Sequence, residues 1–222
     1  MRYYPVFLDI KGRPCTVIGG GAVAQRKVEG LIDAGAKITV ISPKVTAGIQ
    51  KLVKQGKAAH LKKIYKNGDL CGSTLAIAAA SNTVNRAVSE EAASSGIPVN
   101  VVDNPGLCSF IVPSIIDRGS LVIAISTSGA SPLLAKTLRK DLEKRIGPEY
   151  GTFTELLGAV RNKLLKNRVK DDKKERIIKA LIESPIPGWL KEKSYRKVAG
   201  FMKELLGVKF TPSKLGIRLK DR

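Results

Sequence analysis

The sequence predicts an α/β fold, a doubly wound parallel sheet followed by a mostly helical remainder. Three observations predict it. A short apolar run, Cys15 to Ile18, stops at three glycines, and Val23, Lys27, Val28, Leu31 and Ile32 then recur at helical spacing. Strand-like apolar runs alternate with helical stretches as far as Val102. Beyond Gly147-Pro148 the apolar residues fall into stripes of helical period.

Arg2 to Ile10 alternates apolar and polar residues, which fits a strand or a packed arm ahead of the first glycine-bearing strand. The turn Gly19-Gly20-Gly21-Ala22-Val23-Ala24 reads G-x-G-x-x-A. Gly19 lets the chain turn sharply, Gly21 lets the backbone approach a pyrophosphate, and Ala24 is small enough for close packing of helix on strand. The free N–H groups at the helix start then face the phosphates. Gly35-Ala36 closes the helix and Lys37 to Ile41 forms the second strand, so the Rossmann-type βαβ unit is complete. NAD-binding units carry an acidic residue at the end of that second strand, for the ribose hydroxyls. Here the place is taken by Ser42-Pro43-Lys44. Ser42 can still bond a ribose and Lys44 suits a 2′-phosphate, so this segment leaves NAD and NADP both open.

Val45 to Gln55 predicts a short helix and Ala58 to Tyr65 a third strand. Thr74 to Ala79 is a continuous apolar run, as a central strand covered on both faces requires. Ser81 to Ser95 predicts a helix capped by Ser81 or Asn82, and Val99 to Val102 a fifth strand. A loop then leads to Phe110-Ile111-Val112-Pro113. Leu121 to Ser126 is another strand, and a helix from about Leu133 to Arg145 carries Pro132 in its first turn. Helical stripes follow at Leu156, Leu157, Val160 and Leu164, at Ile177, Ile178, Leu181 and Ile182, and at Val198, Phe201, Met202, Leu205 and Leu206. Lys166 to Glu175 reads as a charged linker and Phe210 onward as a weakly ordered tail. These breaks divide the chain into residues 1–113, 114–150 and 151–222.

Apolar residues make up 43% of the 222, enough for a real core. No run approaches the roughly 18–20 consecutive apolar residues of a membrane span. Met1 to Asp9 lacks the apolar region of a signal peptide, so a cytoplasmic location is expected. Cys15, Cys71 and Cys108 are scattered and read as packed and inert; with His60 the only histidine, no conventional metal cluster is expected. The formal net charge is +20 and uneven: residues 151–222 hold 19 Lys+Arg against 8 Asp+Glu. Such a charge attracts polyanions, either nucleic acid or a polycarboxylate small molecule. A basic NAD-binding regulator that binds nucleic acid through the C-terminal helices is the reading from another class, and its mark is a recognition helix with interleaved aromatics or a helix-turn-helix. The basic helices here instead have sparse aromatics and many lysines, so no nucleic-acid partner is expected.

Ligands of an open α/β sheet sit beyond the carboxyl ends of its strands. Gly19-Gly20-Gly21, Ala79-Ala80-Ser81-Asn82 and Val102-Asp103-Asn104 end there. Asp103 is the one carboxylate directly at such an end. Asp-Asn-Pro-Gly is also turn chemistry, and on local sequence alone the turn reading leads. Ser109, Ser114, Ser126, Thr127 and Ser128 offer hydroxyls for substrate carboxylates, while the run before Pro132 reads equally as a turn and helix cap.

The run Ile18 to Lys27, then Ala34-Gly35-Ala36 and Thr39-Val40-Ile41-Ser42-Pro43, resembles the start of the precorrin-2 dehydrogenase/sirohydrochlorin ferrochelatase family, the stand-alone form of the N-terminal module of siroheme synthase. The likeness continues through Leu75 to Ala79 and Val84-Asn85. It is strongest at Asn100-Val101-Val102-Asp103, Cys108-Ser109-Phe110, Pro113 to Arg118 and Ser126 to Pro132. It covers roughly residues 3 to 146. The resemblance implies a Rossmann domain over 1–113, a small α+β dimerisation domain over 114–150 and a helical C-terminal domain over 151–222. It implies NAD-dependent oxidation of precorrin-2 to sirohydrochlorin and, in some members, insertion of ferrous iron to give siroheme; dehydrogenation alone, with chelation left to a partner, is the alternative. It places the key aspartate on Asp103 and cofactor contacts near Ala22, Val23, Pro43 and Lys44; Phe110, beside Ser109, joins the candidate substrate residues. Ala80 and Thr127 depart from the residues common in the family, and the Ser81-Asn82 loop is one residue short. Iron would be bound by the macrocycle. A homodimer is expected, because Leu121 to Ile125 and the helix after it are too small to bury their own apolar residues.

Overall fold

The computed structural model describes residues 2–217 and 219, and the chain divides into two compact units at Val112–Pro113. In the first unit β1 (Pro14–Ile18), β2 (Lys37–Ile41), β3 (Ala58–Leu61), β4 (Leu75–Ala78) and β5 (Val99–Val101) form one parallel sheet in the order β3-β2-β1-β4-β5. Helices α1 (Ala22–Asp33), α2 (Ala47–Lys54) and α3 (Asn82–Ser94) cover it. Successive strand residues point to opposite faces. Cys15, Val17, Ile38, Val40, Leu75 and Ile77 therefore pack with Ala24, Val28 and Leu31 of α1 and Ile49 of α2. Ile18, Ile41, Ala76, Ala78, Val99 and Val101 pack with Val88 and Ala92 of α3. The chain leaves β1 for β2 and β3, then crosses back to β4 and β5, so the switch point lies between β1 and β4. Ile18 is level with Ile41 and Ala78, and Ala78 with Val101. The loops that follow these strands thus line one rim.

Three expectations for this unit need correction. Residues 2–9 form no regular element, and Tyr4, Val6, Phe7 and Leu8 are exposed. Both edges of β1 are taken by β2 and β4, so the preceding arm has no edge to join. Strand β3 stops at Leu61 instead of Tyr65, because Lys63 pairs with Asp69 at 2.6 Å and the Lys66 N–H donates to Asp69 at 2.9 Å, folding this stretch into a loop. Of the cysteines only Cys15 is buried; Cys71 is exposed and Cys108 half-buried.

The second unit opens with an antiparallel pair, β6 (Ser114–Asp117) and β7 (Val122–Ile125), against which α4 (Pro132–Arg145) packs. Helices α5 (Glu149–Lys166), α6 (Asp171–Ile182), α7 (Ile186–Lys191) and α8 (Tyr195–Leu206) follow, around Phe153, Leu156, Val160, Leu164, Leu181, Ile186, Leu190, Val198 and Met202. The expected linker is shorter than read, because α6 already starts at Asp171, where Asp171 and Asp172 suit the positive end of the helix dipole. Residues from Phe210 are not a loose tail as far as they are described. Pro212 is buried, and Phe210, Leu215, Ile217 and Leu219 lie against the helical core. Arg218 and residues 220–222 of the expected tail lie outside the described residues.

The loop after β3 is anchored by one buried carboxylate, Glu91 of α3. It accepts the Leu70 N–H at 2.9 Å and the Tyr65 hydroxyl. Burial first, then the neighbouring Glu91, push the Tyr65 phenol well above its ordinary range, so it stays a donor. Glu91→Ala leaves the Leu70 N–H buried without an acceptor and is expected to cost about 2 kcal/mol. Urea unfolding of the two proteins measures this; an unchanged midpoint would show that the loop holds without Glu91.

Candidate functional site

The rim is shaped by close backbone contacts that only glycine allows. A Cβ on Gly19, whose φ is +114°, would lie 2.1 Å from the Ala79 carbonyl oxygen. One on Gly20 would lie 2.0 Å from the Lys44 carbonyl oxygen. The Gly19 N–H donates to Ile41 O at 3.0 Å, the Ala79 N–H to Ile18 O at 2.7 Å and the Thr46 N–H to Gly20 O at 2.9 Å. The glycine turn is thereby tied to the ends of β2 and β4. Gly21 differs: a Cβ there would meet nothing within 4 Å. It is the N-cap of α1, in extended conformation and without a side-chain cap, and α1 has no acidic residue in its first turn. Ala22 and Val23 follow, Ala22 exposed and Val23 half-buried. The open position, the free helix N–H groups and a first turn without an acidic residue fit a dinucleotide pyrophosphate.

The other expected cofactor residues take distinct places on this rim. Ser42 is buried and its hydroxyl donates to Lys44 O at 2.7 Å, so it shapes the turn in which Pro43 and Lys44 are exposed. His60 bonds the Ser42 carbonyl at 2.9 Å from β3. Ala80, Ser81 and Asn82 are exposed at the start of α3, whose N-cap Ser81 makes no side-chain cap. Instead the buried Asn85 side chain accepts the Ala80 N–H at 2.9 Å and fixes this loop. Asn85 is a positioning residue that sequence reasoning missed, since its role depends on a contact back across the helix start.

Asp103 lies at the end of β5, exposed, with φ +58°. Aspartate is among the few non-glycine residues that accept this left-handed conformation. Asp103 is a turn residue by conformation, yet its carboxylate makes no hydrogen bond or ion pair among the described residues. The returning segment 104–110 runs along the open edge of β5 and satisfies it largely with side chains. Ser109 Oγ accepts the Val99 N–H at 2.7 Å, and Cys108 Sγ accepts the Val101 N–H at 3.1 Å. Asn100 Nδ2 donates to Phe110 O at 3.1 Å. The hydroxyl of Ser109 is therefore engaged with β5, and Phe110 packs half-buried against the core under α1. Lys27 of α1 is also half-buried; burial pushes its ammonium below the usual lysine range, with Cys108 opposing the shift.

The remaining expected substrate residues belong to the second unit. Ser114 opens β6. Ser126 Oγ accepts the Ser128 N–H at 3.0 Å, and Thr127 Oγ1 the Ser131 N–H at 3.0 Å. Both act as acceptors here, which leaves their own protons for a further acceptor. Ser128 is exposed with φ +53°, next to Gly129 at +88°. Among the described residues no three His, Cys, Asp or Glu side chains gather as a metal site, and no helix is long and apolar enough to cross a membrane.

An NAD(P)-binding family model matches residues 6–114, and the model of the sirohaem biosynthesis protein central region matches residues 118–145. The siroheme synthase of Methylobacillus flagellatus is 43% identical over 178 residues, covering 80% of this chain and 38% of that protein. The siroheme synthase of Vesicomyosocius okutanii is 42% identical over 165 residues, covering 74% and 35%. The chain thus spans a little over a third of these relatives. Among solved structures, the precorrin-2 dehydrogenase SirC superposes with a TM-score of 0.73 at 28% identity, over 91% of this chain and 98% of that one. The glycine turn, the parallel sheet behind it and the segment from Arg118 to Arg145 match together, and the chain belongs to the siroheme synthase family over the part that the precorrin-2 dehydrogenase structure also covers.

Proposed function

We propose that this chain oxidises precorrin-2 to sirohydrochlorin with NAD, in the cytoplasm. The observation that carries the reading is Asp103, a free carboxylate on the same rim as the glycine turn, on the strand next but one. The oxidation removes two hydrogens from the substrate, one as hydride and one as a proton. NAD, when bound, supplies the hydride acceptor. Gly21, Ala22 and Val23 hold its pyrophosphate by backbone N–H groups, with Pro43, Lys44 and the loop Ala80-Ser81-Asn82 on either side. Asp103 takes the proton as general base. Within the second unit, the hydroxyls of Ser114, Ser126, Thr127 and Ser128 are the candidates to meet substrate carboxylates, and the +20 charge of the chain attracts such a polyanion. Removal of two pyrrole protons during ferrous iron insertion would need a base of the same kind, so Asp103 is also the candidate for any chelation step, with the iron held as substrate by the macrocycle.

A second copy of the chain is the proposed partner of the second unit. A two-stranded sheet is marginal alone. Here Ile115 and Val122 are exposed on one side of it, and α4 exposes Leu133, Leu134 and Leu138. Covering these residues gives 114–150 the role of a dimerisation domain, with 151–222 as the helical domain behind it.

Three outcomes test the reading. Asp103→Asn keeps the left-handed turn and NAD affinity but lowers dehydrogenation by about 10²–10⁴-fold, measured as NADH formation from precorrin-2; nearly full turnover with unchanged melting would remove Asp103 from the chemistry. Gly21→Ser leaves thermal stability equal or higher, since serine caps helices better than glycine. The added side chain stands where the pyrophosphate belongs, so NAD affinity drops about tenfold, roughly 1.4 kcal/mol by calorimetry. Unchanged affinity would move the cofactor elsewhere. Light scattering at micromolar concentration returns twice the chain mass, and a monomer mass would defeat the dimer.

A further inference from the structure

The turn that presents Asp103 has few backbone bonds to hold it. The Asn104 N–H reaches Val101 O at 3.4 Å, the Leu107 N–H reaches Asn104 O at 3.2 Å and the Cys108 N–H reaches Pro105 O at 3.4 Å, all at or beyond the long end of the usual range. The Cys108 thiol supplies what they lack. Its sulfur accepts the Val101 N–H at 3.1 Å and stands 3.7 Å from Asn100 Nδ2. Its S–H has two carbonyls in reach, Val101 O at 3.2 Å and Asn104 O at 3.3 Å. One side chain thus grips the residues before and after Asp103, in a turn whose central φ is +58°. A left-handed non-glycine residue persists only where its surroundings over-determine it. Cys108 also lines a small open pocket of about 200 Å³ together with Ser89, Ile97, Val99 and Leu107.

We infer that Cys108 is the positioning residue for Asp103: its thiol latches the turn and so aims the carboxylate, rather than touching substrate itself. The inference rests on the reading of Asp103 as the base. It gives the half-buried cysteine a function that its spacing in the sequence does not suggest.

Amide hydrogen exchange reads the latch without reference to activity. In Cys108→Ala the Val101 amide loses its acceptor and exchanges at least tenfold faster, while Cys108→Ser, which keeps a donor and an acceptor, stays protected. Turnover reads the consequence. Misplacing a reacting group by a fraction of a bond length is costly, so Cys108→Ala lowers kcat about tenfold at unchanged Kd for NAD, and Cys108→Ser restores most of it. In an Asp103→Asn background Cys108→Ala has no further effect on kcat. An unaltered Val101 exchange rate, or a full additional loss in that background, overturns the positioning role while leaving the base reading intact. Full turnover of Asp103→Asn alone overturns the base reading and the positioning role with it, so the two failures are told apart. Should Cys108→Ala not fold, methyl methanethiosulfonate on the folded Cys71→Ser protein removes the same S–H donor, and dithiothreitol returns it. Turnover lost and regained supports the latch; full turnover of the labelled protein overturns it.

Discussion

The contact on which the first unit depends is the approach of the glycine turn to two neighbouring carbonyls, Ala79 O and Lys44 O. It is a steric constraint before it is a functional one. With any side chain at Gly19, the end of β1 could not sit beside the end of β4, and with one at Gly20 the loop after β2 would be pushed away. Because both approaches are met, α1 starts directly above the sheet, and its first turn is aimed over the switch point. Gly21 is then free of packing duty, and the space beside it is left for a ligand. The three glycines are adjacent but do three different things, two structural and one not.

Much of this was legible from local sequence. The βαβ unit is written in about thirty consecutive residues, and its periodicity, glycine turn and closing Gly35-Ala36 all agree. Strand β6 was not legible, because Ser114–Asp117 is short and gains its identity only by pairing with β7. Helix α7 was hidden by Pro187 and Gly188, although a proline in the first turn of a helix sacrifices no hydrogen bond. At the candidate site the strand-end residues were found by topology, since a parallel sheet brings its carboxyl ends together. The roles of Asn85, Asn100 and Cys108 were not found. Each acts by pairing a side chain with a backbone group, and only the folded loop shows which one. Ser109 is the converse case: a hydroxyl read as facing substrate is turned toward Val99.

The second unit follows a different logic. Its helical core is continuous from Phe153 to Met202 and is closed by the segment running to Leu219. Its sheet has two strands and keeps apolar residues on the outside. The stability of this half therefore resides in the helices, while the strands and α4 are a surface held out by them.

The side-chain lining of β5 has a consequence for how the protein behaves in a crowded solution. A terminal strand normally presents a row of open donors and acceptors, which templates the addition of another chain. Here Val99 and Val101 have both their outward N–H groups and their carbonyls taken, by Ser109, Cys108 and the returning backbone. At the opposite margin β3 is four residues long and is flanked by Lys57, Lys62 and Lys63. One margin of the sheet is chemically saturated and the other is short and guarded by charge, so neither invites cross-β growth, although the strands between them are as apolar as an amyloid core.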